Sequence, residues 1–385
     1  MLASRPLQLA LVACGLHAAP AARAQQPASR PALPRGVSVA ADFAVDLSPD
    51  GPTLRDSSRF AVREVEAGLA GSIAGFQAAL LVRARDGTRV ALHQAFVSGR
   101  LPGGIEARVG RLALPFGHLN ETHGHALPSV EPPYPHLRYV GQANVSGTGV
   151  SVARALGRRV TLTLAAVDRV HEDTTQRRAL DLPNQFASGL GYLGRLTGDL
   201  RVAGIVARLD ASAMTSLRLQ PLSERVSDGT NVVDAVLARQ AVTGAELLLV
   251  PADSARRAAG WLVAAQALWQ LNERESSLRG RIPSNPATGG PFYLGPIRDV
   301  AGVSAMARMP LGARLTLVAR GDRVEESDFR AGTTTAGSAV LEWRAPAGGR
   351  LSAGYEALRR PGLPALDRVV LRGRVAAGEH GGWPD

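Results

Sequence analysis

The sequence contains no lysine: all 44 of its basic residues are arginine, against 33 acidic residues, and the formal net charge is +11. Arginine carries a planar, permanently charged guanidinium that suits carboxylate and phosphate groups. A genome that favours arginine codons would explain the missing lysine equally well. Because the arginines are spread along the chain rather than clustered in one patch, we expect no nucleic-acid partner.

Cysteine is almost absent, and its one occurrence, Cys14, lies in an apolar N-terminal stretch. Arg5, the apolar run 7–16 and the small residues around Arg23 form the pattern of a secretory signal peptide, which predicts cleavage after residue 24. Residues 11–15 also resemble a lipoprotein motif, but lipidation at Cys14 would leave a very short signal. Cleavage after residue 24 removes Cys14, so the exported chain is expected to hold no disulfide.

Long hydrophobic runs are also missing. After residue 24 no stretch reaches the roughly 18 uncharged apolar residues that a membrane-spanning helix needs. An exported chain without such a helix can enter a membrane only as a closed β-barrel. We expect residues 25–35 to form a flexible proline-rich leader and residues 36–385 to form a single barrel domain.

What the sequence does contain is a repeated alternation of apolar with polar or small residues. In 160–164 Val and Leu alternate with Thr, and in 314–320 Leu and Ala alternate with Arg and Thr. A period of two places the two sets on opposite faces of a strand. The pattern predicts sixteen strands, provided that 237–251 is one strand rather than two.

The predicted connections alternate between short turns and longer polar loops. That regularity is typical of an up-and-down antiparallel outer-membrane barrel and not of a Greek-key sandwich. A charge facing the bilayer midplane would cost about 2–4 kcal/mol, so charged strand residues should face a water-filled lumen. They form either an anion-attracting ladder or cross-strand ion pairs. These predicted pore-lining residues are Arg63, Glu64, Glu66, Glu106, Arg108, Arg314, Arg320, Arg372 and Arg374.

The longest proline- and histidine-rich interruption is 115–147, after the fifth predicted strand. Proline and glycine break it too often for helix or sheet, and loops longer than about 12–15 residues are usually functional or disordered. We expect it to fold into or over the lumen. Its motif residues are Pro115, Phe116, Gly117, Asn120, His123 and His125.

The stretch Gly110–Gly117, with Asn120, His123, His125 and the following 132–134 (Pro-Pro-Tyr), resembles bacterial outer-membrane porin-like proteins related to the phosphate-selective porin group. The segment 147–150, Gly-Thr-Gly-Val, resembles the start of that family's next strand. The resemblance implies a 16-stranded channel with a constriction loop after strand five.

The same loop holds four of the eight histidines. Imidazole and carboxylate groups are ligands for zinc, copper or nickel, so a metal site is one hypothesis. A second is that the histidines hydrogen-bond to charges on the barrel wall and hold the loop in place, and a third is pH gating. The candidate ligands are His118, His123, His125 and His136.

No catalytic pattern occurs, such as Gly-x-Ser-x-Gly, so we expect no enzyme. The leading hypothesis is an outer-membrane channel for passive diffusion of small hydrophilic solutes, favouring anions. The alternatives are a zinc- or copper-binding uptake protein and a plugged structural or adhesive barrel. Expected partners are outer-membrane lipid, small solutes and further copies in a homotrimer, with no cofactor beyond the candidate zinc.

Overall fold

A computed structural model gives the structure of the protein. The predicted signal peptide (1–24) and leader (25–35) lie outside the residues that it describes. The described residues are 36–48, 59–73, 75–84, 90–129, 131–141, 145–171, 191–216, 220–225, 232–253, 260–274, 299–326, 332–345, 349–362 and 364–377.

The described residues form strands almost throughout. Three short 3-10 turns (Pro102–Gly104, Leu119–Glu121 and Gly124–Ala126) and one helix, α1 (Tyr134–Tyr139), complete the regular structure. None of the helices in these residues is both long and apolar enough to cross a membrane. The strands are β1 Gly36–Asp46, β2 Phe60–Ile73, β3 Phe76–Ala84, β4 Ala91–Leu101, β5 Ile105–Ala113, β6 Ser146–Ala155, β7 Val160–His171, β8 Gly191–Val202, β9 Ile205–Ser216, β10 Gln220–Arg225, β11 Val232–Pro251, β12 Leu262–Arg274, β13 Val300–Pro310, β14 Leu315–Glu326, β15 Gly332–Arg344, β16 Arg350–Arg359 and β17 Leu366–Ala377.

The sheet closes on itself. β1 pairs antiparallel with β2 on one side and with β17 on the other, where Val39 lies opposite Ala377 and Asp46 opposite Val370. Closure removes the sheet edges, as a barrel in lipid requires. The prediction of a 16-stranded antiparallel barrel is confirmed, with β1–β9 and β11–β17 as its strands.

The region between β9 and β12, where the strand count depends on whether 237–251 is one strand or two, is partly as predicted. β11 is one continuous strand, and its residues from Gln240 to Pro251 pair with β9. Its first residues pair instead with β10, an additional strand that the sequence did not predict, because 211–236 was expected to be loop. The prediction of a plain loop there was therefore wrong.

The strands have one apolar face and one polar face, as the alternation predicted. On β17, Val369, Leu371 and Val375 are 37%, 43% and 56% exposed, whereas Arg372 and Arg374 are buried. The exposed set faces outward, where lipid would cover it, and the arginines face the lumen. Large apolar side chains are exposed in the same way on most strands, for example Val65, Leu80, Val109, Val152, Leu196, Leu209, Val303 and Leu341.

The chain between β5 and β6, which we call the inserted segment (residues 114–145), occupies the lumen with its described parts, 114–129, 131–141 and 145. Phe116 and Tyr139 in it are fully buried. Its side chains form two apolar clusters with lumen-facing residues of nine strands, β7–β9 and β11–β16. A sixteen-stranded lumen is too wide for wall side chains to fill, so the inserted segment supplies the protein's core.

Candidate functional site

The inserted segment enters the lumen through Pro115, Phe116 and Gly117. The Phe116 ring lies against Gly244 of β11, where an added Cβ would stand 3.4 Å from its Cζ atom. Gly117 has a left-handed backbone (φ +64°) and donates its N–H to Ser212 Oγ at 2.9 Å. A side chain there would be strained and would meet the Glu246 carboxylate. These contacts explain Phe116 and Gly117 of the motif in physical terms.

Asn120 joins the two ends of the inserted segment. Its Nδ2 donates to the carbonyl oxygens of Leu114 (2.8 Å) and Val145 (3.1 Å), and its Oδ1 accepts from the N–H of Val145 (2.8 Å). The side chain is fully buried. Buried backbone groups need partners, and one amide supplies three of them where β5 ends and β6 begins.

Glu246 of β11 receives the first turn of the inserted segment. Its Oε2 accepts the N–H groups of His118 at 2.6 Å and Leu119 at 3.4 Å. Beside it, Arg195 of β8 bridges Glu121 of the segment and Asp210 of β9, with N–O distances of 2.7 Å to each. Burial lowers the pKa of His118 to about 4, so its ring is neutral at physiological pH.

On the opposite wall, arginines of β17 and β14 hold the segment's backbone. Arg372 pairs with Asp42 of β1 at 2.7 and 2.8 Å and donates to the carbonyl oxygens of Gly124, Leu127 and Ser129. Arg374 donates to the carbonyl oxygens of His125 and Leu127. Arg320 donates to Ser129 Oγ at 2.9 Å and to the Glu131 carbonyl at 2.6 Å.

Glu131 is the segment's acidic contact with the same wall. Its carboxylate accepts from Arg63 of β2 at 3.1 Å and lies 3.5 Å from Arg368 of β17. Arg368 also pairs with Glu356. Just beyond, Tyr134 at the start of α1 donates its N–H to Asp322 Oδ2 at 2.9 Å. Charged hydrogen bonds are stronger than neutral ones, so these contacts fix the segment firmly.

Two of the four loop histidines meet acidic residues of β2. His123 Nδ1 lies 2.8 and 2.9 Å from the two carboxylate oxygens of Glu66, and His125 Nδ1 lies 3.1 Å from Glu64 Oε1. The rings of His123 and His125 have centroids 5.6 Å apart. His93 of β4 stands beside them, its centroid 6.4 Å from that of His123.

The four candidate histidines do not all lie together. His118 lies against Glu246, and His136 lies near Gln266 of β12 at 3.5 Å. The hypothesis that the histidines bond to wall charges fits His123 and His125. Neither His118 nor His136 joins His123 and His125, because the segment crosses the lumen and carries its histidines to different walls.

Most of the predicted lumenal charges face the inserted segment, but three do not. Glu106 and Arg108 of β5 pair with each other at 2.7 Å, and Arg108 also lies over the Phe96 ring at 5.4 Å. Arg314 is exposed in the turn before β14, so its assignment to the constriction was wrong. The predicted strand began one or two residues too early there.

Several functional contacts were missed by sequence reasoning. All lie on predicted strands and at lumen-facing positions. The alternation could therefore have predicted that their side chains face the lumen, but not that they contact the inserted segment. The missed residues are Asp42, His93, Arg195, Glu246 and Arg368.

A closed sixteen-stranded barrel, apolar outside and filled by a segment bound through lumenal charges, is a β-barrel of the outer-membrane type. No family model and no curated protein matches the sequence. The fold does match solved structures. A loop-deletion mutant of OmpT, an outer membrane protein of Vibrio cholerae, gives a TM-score of 0.55 at 10% identity over 89% of this chain and 98% of that chain.

Two further structures are similar to the same degree. Pseudomonas putida OprB has a TM-score of 0.55 at 10% identity, covering 89% of this chain and 93% of its own. The outer membrane channel DcaP of Acinetobacter baumannii has a TM-score of 0.53 at 10% identity, covering 89% and 98%. The predicted barrel fold is confirmed.

Proposed function

We propose that the protein is an outer-membrane channel for small hydrophilic solutes, in which the inserted segment restricts the passage. The observation that carries the proposal is the segment's place in the lumen, bound to β2, β14 and β17 on one side and to β8, β9 and β11 on the other. A lumen lined by charge and interrupted by one bound segment is the arrangement that a selective pore uses. The proposal includes no enzymatic activity.

The proposed preference for anions rests on the lumen-facing arginines at the end of the barrel where the short turns lie. Arg344, Arg350 and Arg374 lie opposite one another on β15, β16 and β17. By alternation their side chains face the lumen, like those of further arginines at this end. The further arginines are Arg100, Arg108, Arg201, Arg208 and Arg308. Among the described residues of this end they outnumber the lumen-facing acidic residues, which include Asp42 opposite Arg374, Glu106 opposite Arg100, Asp199 opposite Arg208, and Glu342.

This excess of positive charge would raise the local concentration of anions at the short-turn mouth, since charge lining a pore sets the sign of the ions that enter it. Phosphate is the anion we would test first, because the sequence motif around Pro115 resembles the phosphate-selective porin group. That finer assignment rests on the motif alone.

A homotrimer is part of the proposal. One Vibrio cholerae OmpT structure is described as the trimer form, with a TM-score of 0.53 at 9% identity. The outward face of β12 and β13 offers small side chains, with Ala265 opposite Ala305, on which a second barrel could pack closely. Light scattering in detergent, corrected for bound detergent, would give the mass of the assembly.

The central test is conductance in planar bilayers across a KCl gradient. We expect stepwise openings and a reversal potential on the anion side, reduced chloride current when phosphate is added, and larger steps when residues 119–138 are replaced by a short Gly-Ser linker. Heat-modifiable migration on a gel would show that both proteins are folded. Folded wild-type protein that never conducts would contradict the channel.

A plugged structural barrel is the second candidate, favoured by the burial of residues 131–141 throughout. It predicts the opposite pattern in the same experiment: silent wild-type protein and a conducting variant with the Gly-Ser linker. The two candidates are therefore separated by one comparison.

A further inference from the structure

The turn 123–125 of the inserted segment, His-Gly-His, presents both imidazoles to the wall. One ligand atom each from Glu66, His123 and His125 lie within 4.8 Å of one another. All three side chains are buried, at 1%, 8% and 6% exposure. The three groups come from two separate elements, β2 and the inserted segment, and they are the ligand types that zinc prefers.

We propose that Glu66, His123 and His125 bind one divalent cation of the zinc class, which fastens the inserted segment to the barrel wall. Zinc bonds to imidazole nitrogen and carboxylate oxygen at about 2.0–2.2 Å, which sets tetrahedral ligand atoms about 3.4 Å apart. His123 Nδ1 and the Glu66 carboxylate, now 2.8 Å apart, need to separate by about half an ångström to admit the ion. Side-chain rotation alone supplies a movement of that size.

The backbone of the turn is already fixed for this role. Arg372 holds the Gly124 carbonyl at 2.9 Å, and Arg374 holds the His125 carbonyl at 3.2 Å. Gly124 lets the turn approach β2 closely, because a Cβ at that position would lie 2.8 Å from Glu64 Oε2. Metal sites need ligands oriented by such supporting bonds.

The fourth coordination position has a neighbouring donor. His93 of β4 is 3% exposed, and its Nε2 is buried without a hydrogen-bond partner. Its ring meets that of His123 edge-on, with centroids 6.4 Å apart. A buried imidazole nitrogen without a hydrogen bond either destabilises the folded state or is available as a metal ligand. The carboxylates of Glu64 and Glu66 balance the charge of the cation.

The test is cobalt titration of the full chain refolded in detergent, because tetrahedral cobalt absorbs visible light and reports its own geometry. We expect one saturable equivalent with a tetrahedral spectrum, which zinc displaces. His123→Asn and Glu66→Gln should each weaken cobalt binding by about tenfold or more. His118→Gln is the matched control, a histidine of the same segment that lies at another wall, and should bind like wild type.

Three results would overturn the proposal: no tetrahedral cobalt spectrum with wild-type protein, unchanged affinity in Glu66→Gln, or equal loss in the His118→Gln control. Glu66→Gln decides the matter should His123→Asn fail to fold, since glutamine keeps the size of the side chain and one acceptor oxygen while it removes the charge. Conductance is measured separately, so a failed metal site leaves the channel proposal standing.

Discussion

At the scale of single residues, Asn120 has the largest predicted effect on the inserted segment. Its amide satisfies two carbonyls and one N–H at the segment's two ends. In Asn120→Ala the Val145 N–H loses its partner, whereas the carbonyl oxygens of Leu114 and Val145 keep the bonds that they accept from the N–H groups of Phe116 and Leu114. An orphaned buried donor of this kind costs about 1–3 kcal/mol locally. We expect faster hydrogen exchange across residues 114–141, with the barrel strands unchanged. Thr122→Val, which removes only the single bond to the His118 carbonyl at 3.2 Å, is the control and should change exchange little.

His118 predicts a pH dependence of stability. Burial lowers its pKa to about 4, with smaller effects from Glu121, Arg195, Arg208 and Asp210. Its pKa in the unfolded chain is about 6.5, so between those values the unfolded state binds more protons and stability falls as pH falls. The loss from this group is at most about 3 kcal/mol.

Urea unfolding of the micelle-bound barrel at pH 7 and pH 4.5 would measure this loss. His118→Gln should lose less stability than wild type over that interval, because the carboxylates that also titrate are common to both proteins. Equal losses in the two proteins would show that His118 does not bear the predicted shift.

At the scale of elements, the fit of α1 against β13 depends on a glycine. A Cβ at Gly302 would lie 3.0 Å from Pro135 Cβ, 3.0 Å from Tyr139 Cε2 and 3.2 Å from Val324 Cγ2. Gly302→Val should therefore displace α1 at a cost of about 1–3 kcal/mol. We expect faster exchange in Tyr134–Tyr139 and larger conductance steps.

The matched control is Gly321→Val on the adjacent strand β14, where no atom lies within 4 Å of an added Cβ. Both substitutions add the same side chain to a strand, so only the Gly302 variant should affect the segment. Conductance and exchange that change equally in both variants would count against a specific contact between α1 and β13.

The elements were predictable because a period of two is a local signal. The continuity of β11 followed from the alternation of short and long connections. The insertion after β5 followed from the cluster of prolines near Pro133. The partners of the segment were not predictable. Arg372 and Gly124 are separated by 248 residues in sequence, and only the closure of the barrel brings them together. The additional strand β10 was missed. It pairs only with the first residues of β11, 232–237, outside the regular series of barrel strands.

At the scale of the whole molecule, the distribution of charge along the lumen is the property that should set selectivity. At the level of the inserted segment, acidic side chains of the segment and of the wall pair with many of the lumenal arginines. The short-turn mouth keeps its excess, since Arg344 and Arg350 lie directly opposite each other on β15 and β16. Like charges in that position repel, which makes this pair a source of positive potential rather than of stability.

Replacing this pair therefore tests the selectivity of the whole channel. In Arg344→Gln/Arg350→Gln we expect the reversal potential in a KCl gradient to move toward the cation side, and the shift to be largest at low salt because screening is weakest there. Glu342, 3.6 Å from Arg350, keeps its pairing with Arg374, so the barrel should remain folded. Arg323→Gln changes an exposed arginine on the outward face of β14 and is the control. A double variant with the wild-type reversal potential would show that selectivity is set elsewhere, whereas an equal shift in the control would indicate a nonspecific effect of net charge.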